Sequence, residues 1–232
     1  MILRWMVTAF FILAASSAVA QDKPSLKDQK EKISYIIGMD IGGNFKKQSI
    51  DIDPDIMARG IKDGLSGAKP LLSEQEAREV MTAFEKEMKA RQEVAQKAAG
   101  EKNKKEGEIF LAENKKKEGV KTLPSGLQYK VIKPGTGKKP AATDTVTTHY
   151  KGTLIDGTEF DSSYKRGKPA TFPVNGVIPG WTEALQLMEE GAQWQLFIPS
   201  NLAYGERGAG RIIGPHATLI FEVELISIQE KK

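Results

Sequence analysis

The stretch "TVTTHYKGTLIDGTEFDSSY", Thr145 to Tyr164, decides what the second half of the chain builds. Through Ile155 it runs at the period of two that belongs to a strand, and Gly157 then punctuates it. "GTEFDSSY" reads as strand end and loop, with the carboxylate of Asp161 directly behind the aromatic Phe160. Working outward, "LQYKVIK", "ATFPV", "QWQLFIP" and "ATLIFEVELISI" alternate or run apolar between Gly and Pro residues, and these are strands as well. One helix interrupts them, "GWTEALQLMEEG", in which Trp181, Ala184, Leu185 and Met188 share a face and Gly191 serves as C-cap. A single short helix against a curved antiparallel sheet leaves an apolar cleft where the wrap is incomplete.

Upstream, from Ser25 to Glu118, the signals are helical, and the composition changes near Gly119. Ser25 with Asp28 forms a capping box ahead of Ile33, Ile36, Ile37, Ile41 and Phe45 at helical spacing. Gly38 and Gly42, four apart on one face, weaken that helix and imply a close helix crossing. Asp53 and Pro54 announce a second helix, with Met57, Ile61 and Leu65 as its stripe and an end near Gly64 or Gly67. A third begins at the Ser73–Glu76 capping box and meets no proline before Pro124, so it extends to about Glu118 as a stalk. Two short helices and the start of a third bury too little surface to stand alone, which points to a homodimer packed across a two-fold axis. The fold class is α+β: an all-helical dimerisation domain over residues 21–119, then a β domain over residues 120–232 wrapped around one short helix.

Residues 1–20, "MILRWMVTAFFILAASSAVA", carry an early Arg4, an apolar core and a small-x-small ending, the pattern of a secretory signal peptide. The apolar run falls short of the ~20 residues that span a bilayer, so an exported chain without a membrane span is expected.

Composition excludes several function classes. There is no Cys, which removes thiolate nucleophiles and disulfides, and the only histidines are His149 and His216, so no metal site is expected. No nucleotide-binding or hydrolase motif occurs, and no cofactor is implied. The 34 basic and 30 acidic residues are intermixed, which describes solvated helix faces and argues against nucleic-acid binding.

Three ordered segments, "THYKGTLIDGTEFDSSYKRGKPATF", "VIPGW" and "NLAYGERGAGRIIGPHATLIFEVELISI", carry a resemblance to the FK506-binding-protein family of peptidyl-prolyl cis–trans isomerases. The helical region, with "SYIIGMDIGGNFKKQSIDIDPDIMARGIKDGLSG", is similar to the dimerisation region of its secreted bacterial branch, the macrophage-infectivity-potentiator and FkpA-like proteins. The resemblance implies a pocket of Tyr150, Phe160, Asp161, Ile178, Trp181 and Tyr204, with Val177, Ile213 and Phe221 completing the substrate wall and Trp181 as its floor. It implies proline-containing unfolded or exported polypeptides as substrates, macrolides of the FK506/rapamycin class as ligands, and a periplasmic or otherwise exported location, outer-membrane association included. Read from the residues alone, a loop-rich β domain that keeps Tyr, Phe and Trp beside Gly turns offers an apolar concavity. Ala170 stands where many members carry an aromatic, which leaves the pocket rim less covered, and the loop tip "GERGAGRIIG" is basic and glycine-rich.

Rotation about an X-Pro bond makes and breaks no bond to a heavy atom, so Asp161 needs no proton to transfer. The resemblance makes it a polar wall that accepts a hydrogen bond from Tyr150; a turn-forming role ahead of Ser162 and Ser163 stands beside that reading. The rival function class is a dimeric holdase with little isomerase activity.

Overall fold

The computed structural model describes residues 25–229, and the expected signal peptide, residues 1–20, lies outside them. The chain divides between Ser73 and Glu74 into two compact units.

In the first unit, α1 spans Gln29–Lys47 and α2 spans Pro54–Ser66. The capping box of α1 sits three residues later than expected: Asp28 is the N-cap and accepts from the Glu31 N–H at 2.8 Å, while Glu31 reaches back to the Lys27 N–H at 2.7 Å. A Glu side chain is long enough for that return contact, which Asp28 could not make to Ser25, and both carboxylates lie at the positive end of the helix dipole. In α2, Asp53 caps the N–H groups of Asp55 and Ile56, Pro54 opens the helix, and Gly67 ends it at φ +67°. Neither helix contains a buried residue. Their apolar stripes instead line an open groove of about 700 Å³, with Ile37, Ile41, Phe45, Met57, Ile61 and Leu65 on its walls. The close crossing expected at Gly38 and Gly42 is not made among the described residues, since a Cβ at either position would meet nothing within 4 Å.

The second unit opens with α3, Glu74–Asn114, whose 41 residues span roughly 60 Å at 1.5 Å per residue. It stops short of Glu118 because Asn114 turns inward and donates to Gln128 Oε1 at 3.0 Å, after which Gly119 at φ +78° reverses the chain. The strands are β1 Val120–Thr122, β2 Gln128–Lys133, β3 Thr145–Leu154, β4 Glu159–Ser162, β5 Ala170–Pro173, β6 Gln193–Ile198 and β7 Leu219–Gln229. All pair antiparallel in the order β1-β2-β6-β7-β3-β4, with β5 on the remaining length of the β3 edge. Register shifts at Thr147/Thr148 and Gly152/Thr153 add local twist to β3, the strand that must coil most.

Val146, Thr148 and Tyr150 on β3, and Leu219, Phe221, Val223 and Leu225 on β7, point to one buried face. Across that face lies α4, Pro179–Leu185, shorter than the Gly180–Gly191 span expected. Its last turn tightens: the Leu187 N–H bonds the Ala184 carbonyl at 2.9 Å and the Met188 N–H bonds Ala184 and Leu185. Met188 thereby stays fully buried while the chain breaks away toward β6, and Gly191 acts in that later turn, at φ +86°, instead of capping the helix. Leu185 is fully buried at the centre of this packing. We expect Leu185→Ala to destabilise the second unit by about 2–5 kcal/mol, read from urea unfolding followed by Trp fluorescence.

Candidate active site

Five elements bring rings to one concavity. The alternation of β3 turns Tyr150 inward, β7 does the same for Phe221, and β4 and β5 deliver Phe160 and Phe172. Trp181 enters from the first turn of α4, where Pro179 presets the helical backbone. Three rings stand nearly perpendicular to the indole: Tyr150 at 5.2 Å and 89°, Phe172 at 6.0 Å and 82°, and Phe221 at 5.2 Å and 81°. Edge-to-face pairing is the favoured geometry of aromatic quadrupoles, and here it sets walls upright on a floor. Phe160 meets Phe221 in the same way at 5.4 Å. Gly152 makes that meeting feasible, because a Cβ there would lie 2.6 Å from the Phe160 ring and 2.7 Å from Phe221.

The resulting cavity holds about 640 Å³, within the range of small-ligand sites. Val177 and Ile178, following the 3₁₀ turn Val174–Gly176, form one side, and Tyr204 with the loop residues Ala209–Ile213 forms another. At its edge, the Tyr150 hydroxyl donates to Asp161 Oδ2 at 2.5 Å and Arg166 Nη1 donates to Asp161 Oδ1. Arg166 Nη2 also donates to the Tyr150 hydroxyl oxygen at 2.7 Å, and its guanidinium lies 5.3 Å from the Tyr150 ring centre. Burial, and then the hydrogen bond to Asp161, push the Tyr150 hydroxyl above its ordinary value of 10.0. The Asp161 carboxylate is thus held between a phenol hydroxyl and a guanidinium, each donating to one of its oxygens.

Two regions of the chain match descriptions of known domains: residues 30–131 match "Domain amino terminal to FKBP-type peptidyl-prolyl isomerase", and residues 136–226 match "FKBP-type peptidyl-prolyl cis-trans isomerase". Over 97% of this chain and 97% of the relative, it is 53% identical to the Outer membrane protein MIP of Legionella longbeachae. It is 46% identical to the peptidyl-prolyl cis-trans isomerase Mip of Coxiella burnetii, covering 89% of this chain and 90% of that one. The crystal structure of FkpA from Escherichia coli superposes with a TM-score of 0.67 at 37% identity, over 88% of this chain and 99% of that chain. The chain belongs to the FKBP-type peptidyl-prolyl cis–trans isomerases.

All nine side chains singled out in the sequence of this isomerase line the one cavity. Among the further contributors, Phe172 and Arg166 carried no signal that was used, and Arg211 was read only as part of the basic loop tip. Phe172 lies on the same face of β5 as Ala170, two residues along, and supplies the aromatic wall that Ala170 lacks. Arg166, five residues past Asp161, reaches back across the turn, and Arg211 lies at the loop tip. The turn after Asp161 is held by other side chains: Ser162 Oγ accepts from the Lys165 N–H at 3.4 Å, and Ser163 Oγ accepts from the Tyr150 N–H at 2.7 Å. His149 stacks on Tyr164 at 4.5 Å and bonds Ser163 Oγ at 2.9 Å, outside the cavity lining.

We expect Asp161→Asn to keep the fold and lower kcat/KM on a proline tetrapeptide roughly three- to tenfold, a loss of about 1 kcal/mol of transition-state binding. The wild-type pH–rate profile stays flat between about pH 7 and 9. The Tyr150 donor is intact below its ordinary value of 10.0 and lost only as pH rises through its raised folded value. A bell centred on a carboxylate, abolished by the substitution, would contradict this.

Proposed function

We propose that this isomerase acts on X-Pro bonds of unfolded, exported polypeptides, and that it does so as a homodimer in which the two units divide the work. The observation that carries the catalytic half is the Trp181 floor with three rings set perpendicular to it. The barrier to amide rotation, ~18–20 kcal/mol, comes from resonance, and a catalyst need only hold the twisted amide more tightly than either planar form. An apolar pocket favours the twisted state because the planar amide is more polar and loses more on leaving water. The proline ring sits over Trp181, the Ile178 N–H at the start of α4 and the Tyr204 hydroxyl donate to substrate carbonyls, and Asp161 with Arg166 shapes the field at the pocket edge. Macrolides of the FK506/rapamycin class compete for the same cavity.

The first unit supports the dimer. It contains two helices without one buried residue and an apolar groove of about 700 Å³, lined in part by Gly38 and Gly42, at which an added Cβ would meet nothing within 4 Å. A monomer holding that much apolar surface in water lacks the burial that offsets chain entropy. A second copy laid into the groove supplies it. Ile33, Tyr35, Ile36 and Met39 are also exposed on α1 outside the groove lining, which favours chaperone capacity alongside the isomerase. Export rests on the signal-like residues 1–20.

The test compares peptide and protein substrates. Sedimentation at micromolar concentration gives a dimer for the wild type and a monomer for Ile41→Asp, which places a charge in the groove. Per active site, tetrapeptide rates are equal, whereas proline-limited refolding of a protein substrate falls on the order of tenfold or more for the monomer, because tethered second contacts are lost. Equal losses on both substrates would mean that the first unit only stabilises the second. A holdase with little isomerase activity would show no tetrapeptide catalysis at all.

A further inference from the structure

The lower part of α3 is seated on the β unit by a face that hydropathy does not mark. Gly100, Asn103, Gly107, Phe110 and Asn114 recur at helical spacing on one side. A Cβ at Gly100 would lie 3.2 Å from the side chains of both Pro215 and His216, and one at Gly107 would fall inside van der Waals contact of the Thr218 hydroxyl. Phe110 meets Phe197 at 6.0 Å, and Gln128 Nε2 donates to the Leu111 carbonyl at 2.9 Å. The helix backbone therefore rides directly on residues 215–218.

Those residues are the outgoing leg of the loop that walls the catalytic cavity. The His216 N–H bonds the Gly205 carbonyl at 2.8 Å and closes the loop at its neck, and His216 itself is held at φ +55°. Inside the neck, Ala209 and Ile213 bond each other at 2.8 and 3.2 Å and present the tip, 209–213, to the cavity. The incoming leg is tied to the 3₁₀ turn Ser200–Leu202 by the Gly205 N–H bonding the Ser200 carbonyl at 2.9 Å. The outgoing leg is tied to α3: Asn103 Nδ2 donates to the Pro215 carbonyl at 2.8 Å, part-buried. Gly214 lies so close that a Cβ there would be 2.9 Å from Asn103 Nδ2. With the donor removed, the carbonyl loses its partner in a half-dry site and the leg is free to shift.

We propose that Asn103 is a positioning residue of the isomerase, and that the long helix, through Asn103 and the glycine seats at 100 and 107, holds the 205–216 loop at the spacing the pocket requires. Asn103 is absent from the cavity lining, so it acts only through the loop. The tip residues touch the substrate flanks in planar and twisted forms alike, so displacing them weakens binding of both and raises KM more than it lowers kcat. The proposal rests on the cavity being where substrate binds.

The experiment uses the full chain with Asn103→Ala and Asn103→Asp. The second is isosteric but cannot donate, and it sets a carboxylate against the Pro215 carbonyl. Tetrapeptide kinetics are measured with amide hydrogen exchange. KM is expected to rise about three- to tenfold in both variants with kcat within about twofold, and exchange to quicken over 205–216 while β3 and β7 stay protected. As an independent perturbation, Gly107→Ala lifts the helix and raises KM, and Gly107→Ala/Thr218→Ala, which removes the clashing hydroxyl and leaves the two Cβ atoms 3.3 Å apart, restores most of it. Unchanged KM in both Asn103 variants, or a loss of active protein without selective change at 205–216, overturns the proposal. Failure of the pocket reading would show separately, as undiminished activity of a Trp181 variant, and leaves the exchange result standing.

Discussion

An indole that is 4% exposed, held edge-on by three rings from β3, β5 and β7, is the contact on which the second unit depends. For Tyr150, Phe172 and Phe221 to reach Trp181 together, the sheet has to curl around α4, and the register shifts in β3 provide the twist. Gly180 permits the same approach from the helix side, since a Cβ there would lie 2.5 Å from Ile198. A helix of seven residues is marginal in water by itself. Its stability is the stability of the rings and aliphatic side chains beneath it, so core and cavity are one construction.

The charged edge follows a different logic. Asp161 and Arg166 are each nearly half-exposed, so their pairing adds little to stability. What it fixes is direction: the carboxylate is held between a guanidinium and a phenol. The first unit shows the opposite economy of design, with well-capped helices and no interior. Local capping fixes where each helix starts and stops, but only tertiary burial makes such short helices persist.

Legibility in the sequence tracked the reach of the interaction. Period-two strands with Gly punctuation, and the Asp53-Pro54 start and Gly67 end of α2, are local signals and lie where they were expected. The α1 cap was misplaced because two overlapping pairs, Ser25–Asp28 and Asp28–Glu31, satisfy the spacing and only the reach of the returning carboxylate separates them. Helix α4 ended early because its last turn tightens to bonds three residues apart at Leu187 and Met188, from which the chain leaves for β6, a tertiary demand that its helical periodicity does not record. Arg166 escaped notice because an Arg in a Lys-rich turn is indistinguishable from a solvated charge until its partner is located. The docking face of α3 was invisible for a cleaner reason: apart from Phe110 it is made of Gly and Asn, so close approach and hydrogen bonding replace the apolar stripe that sequence reading looks for.

The place of β7 in the sheet bears on how the chain comes to be folded at all. It lies between β6 and β3, pairing with β3 from Leu219 to Gln229 and with β6 from Leu219 to Glu224, yet it is the last strand in sequence among the described residues. During synthesis, β3 therefore has no central neighbour until residues 219–229 have emerged, and Trp181 lacks the Phe221 wall until then. Pairing across so long a chain separation is slow. The second unit consequently cannot close its sheet, or complete the walls of its cavity, until almost the whole chain has been made.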